Sequence, residues 1–171
     1  HLADHVITTS DYVRRELGTC EHSSTIHNSA DARQFNINLS EARTHIREEL
    51  NLPGNSPVIG MIGSIQKIKG HDLIIDAARR VVTQQPEARF LVVAGGVCDT
   101  YRKSKRGRIK LALRVPLDNL DRMLRRVRAA GLEDNFVFSG YRIDIPDILA
   151  AMDVLVFPSQ APEGFGRPLI E

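Results

Sequence analysis

From residue 57 onward, short apolar runs alternate with one-sided apolar stripes. Pro57–Gly63 (PVIGMIG), Arg89–Gly96 (RFLVVAGG), Phe136–Gly140 (FVFSG) and Asp153–Ser159 (DVLVFPS) are apolar runs bounded by turn residues, the pattern of buried strands. After Lys69-Gly70, residues Leu73, Ile74, Ala77, Ala78, Val81 and Val82 recur at helical spacing and predict a helix. Leu117, Leu120, Leu124 and Val127 predict another, ending at the turn Gly131–Asn135. A short helix is expected over Ile145–Ala151, and one more starting near Gly166. Strands alternating with helices over short connections predict a Rossmann-like α/β fold, a parallel sheet with helices on both faces. Right-handed crossovers then bring every strand's carboxyl end to one edge, where open α/β sheets bind ligands. Gly63-Ser64, Gly95-Gly96, Gly140-Tyr141 and Pro158-Ser159 should build that edge.

Ahead of residue 57 the pattern is weaker. His5–Thr8 reads as a short strand, and Ser10 caps a helix to about Leu17 that Gly18 ends. Gly18–Phe35 is irregular, and a helix over Ser40–Leu50 is stopped by Asn51–Asn55. The expected organisation is residues 1–23 as the end of one domain, 24–56 as a linker with its helix, and 57–171 as the ligand-binding domain. Because the chain opens on His1 and closes on Glu171 inside an expected helix, it is expected to be a fragment, with the last domain truncated at its carboxyl end.

Composition removes several classes. Apolar residues at 42% and charged residues at 26% argue against disorder, and a net charge of +2 is too small to imply a nucleic-acid partner. Cys20 and Cys98 have neither CxxC nor metal-ligand spacing and read as free thiols of a reducing compartment. The longest mostly apolar run, Ile148–Phe157, is broken by Asp153 and too short to span a bilayer. With no basic leader before an apolar stretch, the expected location is cytoplasmic. The six histidines form no site, and His71 is expected on the surface of a helix's first turn.

One segment changes the charge picture. Tyr101–Arg114 (YRKSKRGRIKLALR) carries seven basic residues and no acidic one. A solvated insertion is the favoured reading; the functional alternative is peripheral docking to an anionic membrane surface.

The candidate chemistry lies in two of the edge loops. Gly63–Gly70 (GSIQKIKG) places Lys69 at a helix start, beside the open N–H groups that favour an anion. Taken alone it reads first as a solvated lysine. The loop has neither the Walker A order nor the dinucleotide fingerprint, which disfavours an NAD-dependent oxidoreductase. Pro158–Glu171 (PSQAPEGFGRPLIE) is more informative. Gly164 and Gly166 leave backbone N–H groups accessible, Pro168 suits a first helical turn, and Glu163 and Glu171 offer two carboxylates for hydroxyl groups.

EGFGRPLIE, with AMDVLVFPS, FVFSGYRIDIPDILAAMD and the Lys69-Gly70 pair, resembles the retaining GT-B glycosyltransferases of family 4 and its relatives (glycosyl transferases group 1). ADHVITTSDYVRREL resembles the end of that group's acceptor-side domain, and TIHNSADARQF its interdomain segment in altered form. The resemblance implies one half of a GT-B fold that binds a nucleoside-diphosphate sugar and transfers its sugar to a glycan, lipid or small molecule. Lys69 would pair with the diphosphate and Glu163 would hold sugar hydroxyls, these two being the catalytic candidates. The Gly164–Phe165–Gly166 backbone would contact sugar and phosphate, Gly63 and Ser64 would line the donor, Arg142 and Ile143 would flank the base, and Glu171 would hold the ribose. No metal or other cofactor is implied. Ser64 departs from the arginine common at its position, leaving Gln66, Lys67 or Arg167 to compensate, and Gly95–Asp99 lacks the usual Gly-acid-Gly order. The competing readings are a nucleotide-sugar epimerase of GT-B form and a non-catalytic nucleotide-binding or membrane-docking module. The isolated fragment is expected to catalyse little.

Overall fold

The computed structural model describes residues 3–18, 22–95, 105–113 and 118–170. The chain divides into two compact units, His1–Asn36 with Ala161–Glu171, and Ile37–Gln160. Leu117, Glu171, the loop beyond Gly95, and Tyr101–Ser104 with Arg114 of the basic stretch lie outside the described residues.

In the smaller unit, β1 (Val6–Thr8) and β2 (Ser23–Thr25) form a parallel pair, with α1 (Asp11–Glu16) between them. The Ser10 hydroxyl accepts the Val13 N–H and caps α1 as its sequence predicts; Gly18, at φ 72°, follows the helix end. β2 falls where the sequence reads as irregular. Ser-Ser-Thr has no apolar alternation, and the strand is held by the ladder itself and by polar ties. The Thr8 hydroxyl donates to the Ser24 carbonyl at 3.3 Å, and Arg14 Nε to Ser23 Oγ at 3.2 Å.

The larger unit runs α2 (Leu39–Glu49), β3 (Val58–Ile62), α3 (His71–Gln84), β4 (Arg89–Val93), α4 (Lys105–Ala112), α5 (Asn119–Ala129), β5 (Phe136–Phe138), α6 (Ile145–Ala151) and β6 (Val154–Leu155). Its four strands are all parallel, in the order β5-β4-β3-β6. Alternation along β4 builds two cores. Phe90 and Val92 join Met61 and pack with Ile74, Ile75 and Ala78 of α3 and Met123 and Val127 of α5. Leu91 and Val93 join Val58 against Ile46 of α2 and Ile148 and Ala151 of α6. Helices therefore cover both faces, the Rossmann-like α/β arrangement the alternation predicts. Each of the larger apolar side chains contributes about 1.5–3 kcal/mol by burial. Gly60, mid-β3, gives the end of α6 room to close on the sheet, because a Cβ there would collide with the Met152 side chain.

Three local expectations shift. The buried face of α3 is His71, Ile74, Ile75 and Ala78, while Leu73 is 44% exposed. The true stripe starts at the first helical residue and follows i, i+3, i+4, i+7, one position out of phase with the leucine. β6 is only two residues long: Val156 still donates to Gly60, but Pro158 has no N–H to continue the ladder. The helix expected near Gly166 is, within the described residues, a 3-10 turn over Arg167–Leu169 entered from Gly166 at φ 69°.

The amino ends of the strands are closed by polar side chains. Arg47, 4% exposed, donates to the carbonyls of Ala151, Gly54 and Ser56 at 2.7–3.1 Å and to Asp153 at 2.9 Å. Asp153 also accepts from Arg43 and from the Val58 N–H at 2.7 Å. Burial pushes the Asp153 carboxyl up, but the Val58 N–H and the two arginines outweigh it and leave it below its ordinary value. Asn135 Nδ2 ties β5 to β4 by donating to the Pro86 and Ala88 carbonyls, both at 2.9 Å.

Candidate functional site

The carboxyl ends of the strands are in line. Gly63 N–H donates to Val93 at 3.0 Å, Ser139 to Val92 at 3.2 Å and Val156 to Gly60 at 2.8 Å. The loops that follow therefore share one edge, and Gly95 lies beside Tyr141.

After β3, Lys67–Lys69 form a 3-10 turn that passes through Gly70, at φ 77°, into the fourteen residues of α3. The first N–H groups of α3 thus open next to Lys69, the arrangement that attracts anions. The turn is held on two sides. Asn119 Nδ2, at the start of α5, donates to the Ile65 carbonyl at 2.7 Å, and the Gln160 N–H donates to the Ile68 carbonyl at 2.7 Å. Ser64 Oγ accepts from Gln66 Nε2 at 3.1 Å, which joins Gln66, one of the residues named as substitutes for the missing arginine, to Ser64.

His71 is a correction. It is 3% exposed, and among the described residues neither ring nitrogen has a hydrogen bond of ordinary geometry. It lines a cavity of roughly one water's size with Gln66, Lys67, Asp72, Asn119 and Arg122. Burial pushes its pKa down; the Gln66 backbone and Asp72 pull the other way, and Lys69 reinforces the burial.

In the loop after β5, Arg142 is gripped by two carboxylates. Its guanidinium forks onto Glu49 of α2 and onto Asp144, with Nε to Asp144 Oδ1 at 2.8 Å. These hydrogen bonds raise the arginine's pKa further and hold both acids below their ordinary values. Tyr141 and Ile143, on either side, are 81% and 84% exposed. The arginine anchors the loop while its neighbours stand out from it.

Glu163, Gly164, Phe165 and Gly166 lie in the smaller unit. A Cβ on Gly164 would sit 3.5 Å from Val13 and 3.6 Å from Thr9, so this loop rests against the β1–α1 junction. The expected site residues are thus divided. Gly63, Ser64 and Lys69 share one loop of the larger unit, Arg142 and Ile143 share another, and the Glu163 loop belongs to the smaller unit. An open groove of about 800 Å³ along α2, lined by Asn38, Glu41, His45, Glu48 and Asp147, contains none of them. Sequence reasoning missed Asn119, Gln160 and Glu49, none of which carries a local signal. The missed burial of His71 did have one, the stripe 71-74-75-78. Among the described residues no group of three or more His, Cys, Asp or Glu is placed to hold a metal, and no helix is long and apolar enough to cross a membrane.

A parallel sheet covered on both faces, with a lysine turn at its carboxyl edge, defines a Rossmann-like domain. The chain belongs to the family of glycosyl transferases group 1, whose profile matches residues 42–171. It is similar to mannosylfructose-phosphate synthase of Agrobacterium fabrum, 32% identical over 131 residues, covering 75% of this chain and 25% of that protein. It is likewise 32% identical over 133 residues to 2-deoxystreptamine N-acetyl-D-glucosaminyltransferase of Streptomyces fradiae, covering 75% of this chain and 26% of that one. Among solved structures, Anabaena HepE in complex with UDP-glucose superposes with a TM-score of 0.72 at 25% identity, over 96% of this chain and 41% of that one. The chain therefore spans about a quarter of the length of these two curated relatives.

Proposed function

We propose that the protein transfers a glycosyl group from a nucleoside-diphosphate sugar to an acceptor with retention of configuration, and that this chain supplies most of the donor-binding half. The observation that carries the reading is the Lys69 turn, set at the carboxyl edge and leading into α3, in a chain of this family. Departure of a nucleoside diphosphate develops negative charge, and a lysine beside helix amides stabilises it without a metal. Glu163 binds hydroxyls of the transferred sugar, the Gly164–Gly166 backbone contacts sugar and phosphate, and Glu171 holds the ribose. Arg142 serves the base through the backbone of its loop, since its guanidinium is taken up by Glu49 and Asp144. Ser64 with Gln66 offers a neutral pair where the family commonly has an arginine, so the diphosphate grip is weaker there. HepE, crystallised with UDP-glucose, and the relatives that carry transferase names support the class. The relatives' different named substrates leave the acceptor open among glycan, lipid and small molecule.

Calorimetry of the intact protein with UDP, GDP and ADP tests the donor reading. One diphosphate should bind, and Lys69→Ala should weaken it roughly tenfold or more, the loss of a charge-assisted bond. Turnover of the matching nucleotide sugar to a glycosylated acceptor should disappear in Glu163→Ala. Binding of none of the three by the folded protein overturns the reading; release of the free epimerised sugar points to the epimerase.

A second part concerns location. α4 carries Ile109, 59% exposed, and is followed by Leu113, 70% exposed, within the basic stretch. Apolar side chains one helical turn apart among lysines and arginines suit a cytoplasmic protein docking peripherally on an anionic bilayer, at about 1 kcal/mol per basic residue near the surface. Co-sedimentation should favour vesicles containing anionic lipid; equal binding to neutral vesicles removes this part alone.

A further inference from the structure

Burial does little to hold the loop that leaves β5. Gly140, at φ 77°, turns the chain out of the strand, and Tyr141 and Ile143 face solvent. Between them, Arg142 has a side chain only 17% exposed and makes four hydrogen bonds to carboxylate oxygens, two on Glu49 and two on Asp144. Glu49 is the last residue of α2. Asp144 stands at the amino-terminal cap of α6, yet its side chain makes no capping bond. An aspartate at that position ordinarily accepts a helix N–H; here the carboxylate is turned to the arginine instead. α2 and α6 share one core through Ile46, Ile148 and Ala151, so both acids stand on a packed pair of helices. Two carboxylates against one guanidinium leave a negative charge in excess, which repels phosphate rather than gathering it.

We propose that Glu49 and Asp144 are positioning residues for base recognition: through Arg142 they fix the Tyr141–Ile143 backbone against which the donor's base lies, and so set which base the protein prefers. Choice between bases turns on a few directional contacts, and a loop discriminates only as far as it is held still. A planar guanidinium forked onto two carboxylates fixes direction as well as distance. The clamp leaves Tyr141 facing outward beside Gly95 of the neighbouring loop, so the edge stays open to a ligand. This deepens the donor reading and rests on it.

The affinities of the intact protein for UDP, GDP and ADP test it, read as the ratio between the preferred diphosphate and the other two. Glu49→Ala should narrow that ratio roughly three- to tenfold, by weakening the preferred ligand, because the diphosphate and ribose contacts common to all three remain. Glu49→Gln, which keeps the shape and one acceptor oxygen, should narrow it less. In an Arg142→Ala background, Glu49→Ala should leave the ratio where Arg142→Ala alone puts it, because its effect passes through the arginine. A merely structural role lowers all three affinities in proportion and leaves the ratio unchanged. That result, a further narrowing in the Arg142→Ala background, or equal wild-type affinity for the three overturns the proposal and leaves the donor reading standing. Binding of none of the three by the folded wild type removes both. Should Glu49→Ala fail to fold, Glu49→Gln and Asp144→Asn in both backgrounds read the same coupling.

Discussion

The two edges of the central sheet use polar side chains in opposite ways. At the amino edge, Arg47 is buried and its guanidinium is shared among backbone carbonyls and Asp153, so the group serves only to close the structure. At the carboxyl edge, Lys69 stands over an aromatic ring, and Gly70 brings the chain so close to Pro158 that only a glycine fits. The first arrangement satisfies donors with internal acceptors; the second sets a cation near a ring face on a turn packed against the end of a strand. Even Arg142 divides along these lines, its guanidinium held by acids while Tyr141 and Ile143 beside it face outward. Stability should therefore reside at the amino edge and ligand affinity at the carboxyl edge, and substitutions can separate the two.

The largest effect is expected from Arg47→Ala. It strands the buried carbonyls of Ala151 and Ser56, takes a donor from the more exposed Gly54 carbonyl and removes one partner of Asp153. A buried acceptor left without its donor costs about 1–3 kcal/mol, and the broken pair adds little because Asp153 is 38% exposed and keeps Arg43 and the Val58 N–H. Urea unfolding should show that loss while nucleotide affinity of the folded protein stays at its wild-type value. Reduced affinity with unchanged unfolding would break the comparison.

Gly70→Ala should do the reverse. At φ 77° an alanine is strained, and its methyl group meets the Pro158 carbonyl, so the turn must lift away from Phe157–Gln160. The strain costs about 1–3 kcal/mol, but a displaced turn also misplaces Lys69. Nucleotide affinity measured by calorimetry should fall roughly tenfold or more, a larger proportional loss than any lowering of the urea midpoint.

What the sequence makes legible divides along the same line. The four strands, both covered faces and the loops of the carboxyl edge follow from apolar periodicity, because burial on a sheet imposes it locally. Lys69 can be named only through the resemblance, because a lysine before Gly70 at a helix start, taken alone, reads first as a solvated residue. The grip of Glu49 on Arg142, and the seating of the lysine turn on Phe157–Gln160, join residues about ninety positions apart, and no local period encodes them. β2 escapes notice because polar ties rather than apolar alternation hold Ser23–Thr25. His71 escapes for another reason: its place in the buried stripe of α3 is visible, but the residue type argues for the surface.

His71 gives the smallest effect and the sharpest test, because it sits under the carboxyl edge yet is buried like an amino-edge group. Burial first, and Lys69 after it, hold its pKa below the ordinary 6.5, against the opposing pull of the Gln66 backbone and Asp72. Lys67 and Arg122 also line its cavity, so the surrounding charge is mainly positive. The unfolded chain then takes up a proton at a higher pH than the folded one. The stabilising contribution is complete above pH 6.5 and is lost as the pH falls from there through the folded value. One proton limits the slope to about 1.4 kcal/mol per pH unit. The carboxylates held low by arginines, Asp144, Asp153 and Glu49, lose their contribution only at more acid pH, so the two windows separate. Urea unfolding from pH 7.5 to 5 (roughly the range in which a histidine titrates) should show stability declining below 6.5 in the wild type and a flat profile in His71→Leu, which buries an apolar group in place of the imidazole. An equal slope in both would mean that the ring finds a partner and that the carboxyl edge is as fully satisfied beneath its surface as the amino edge is.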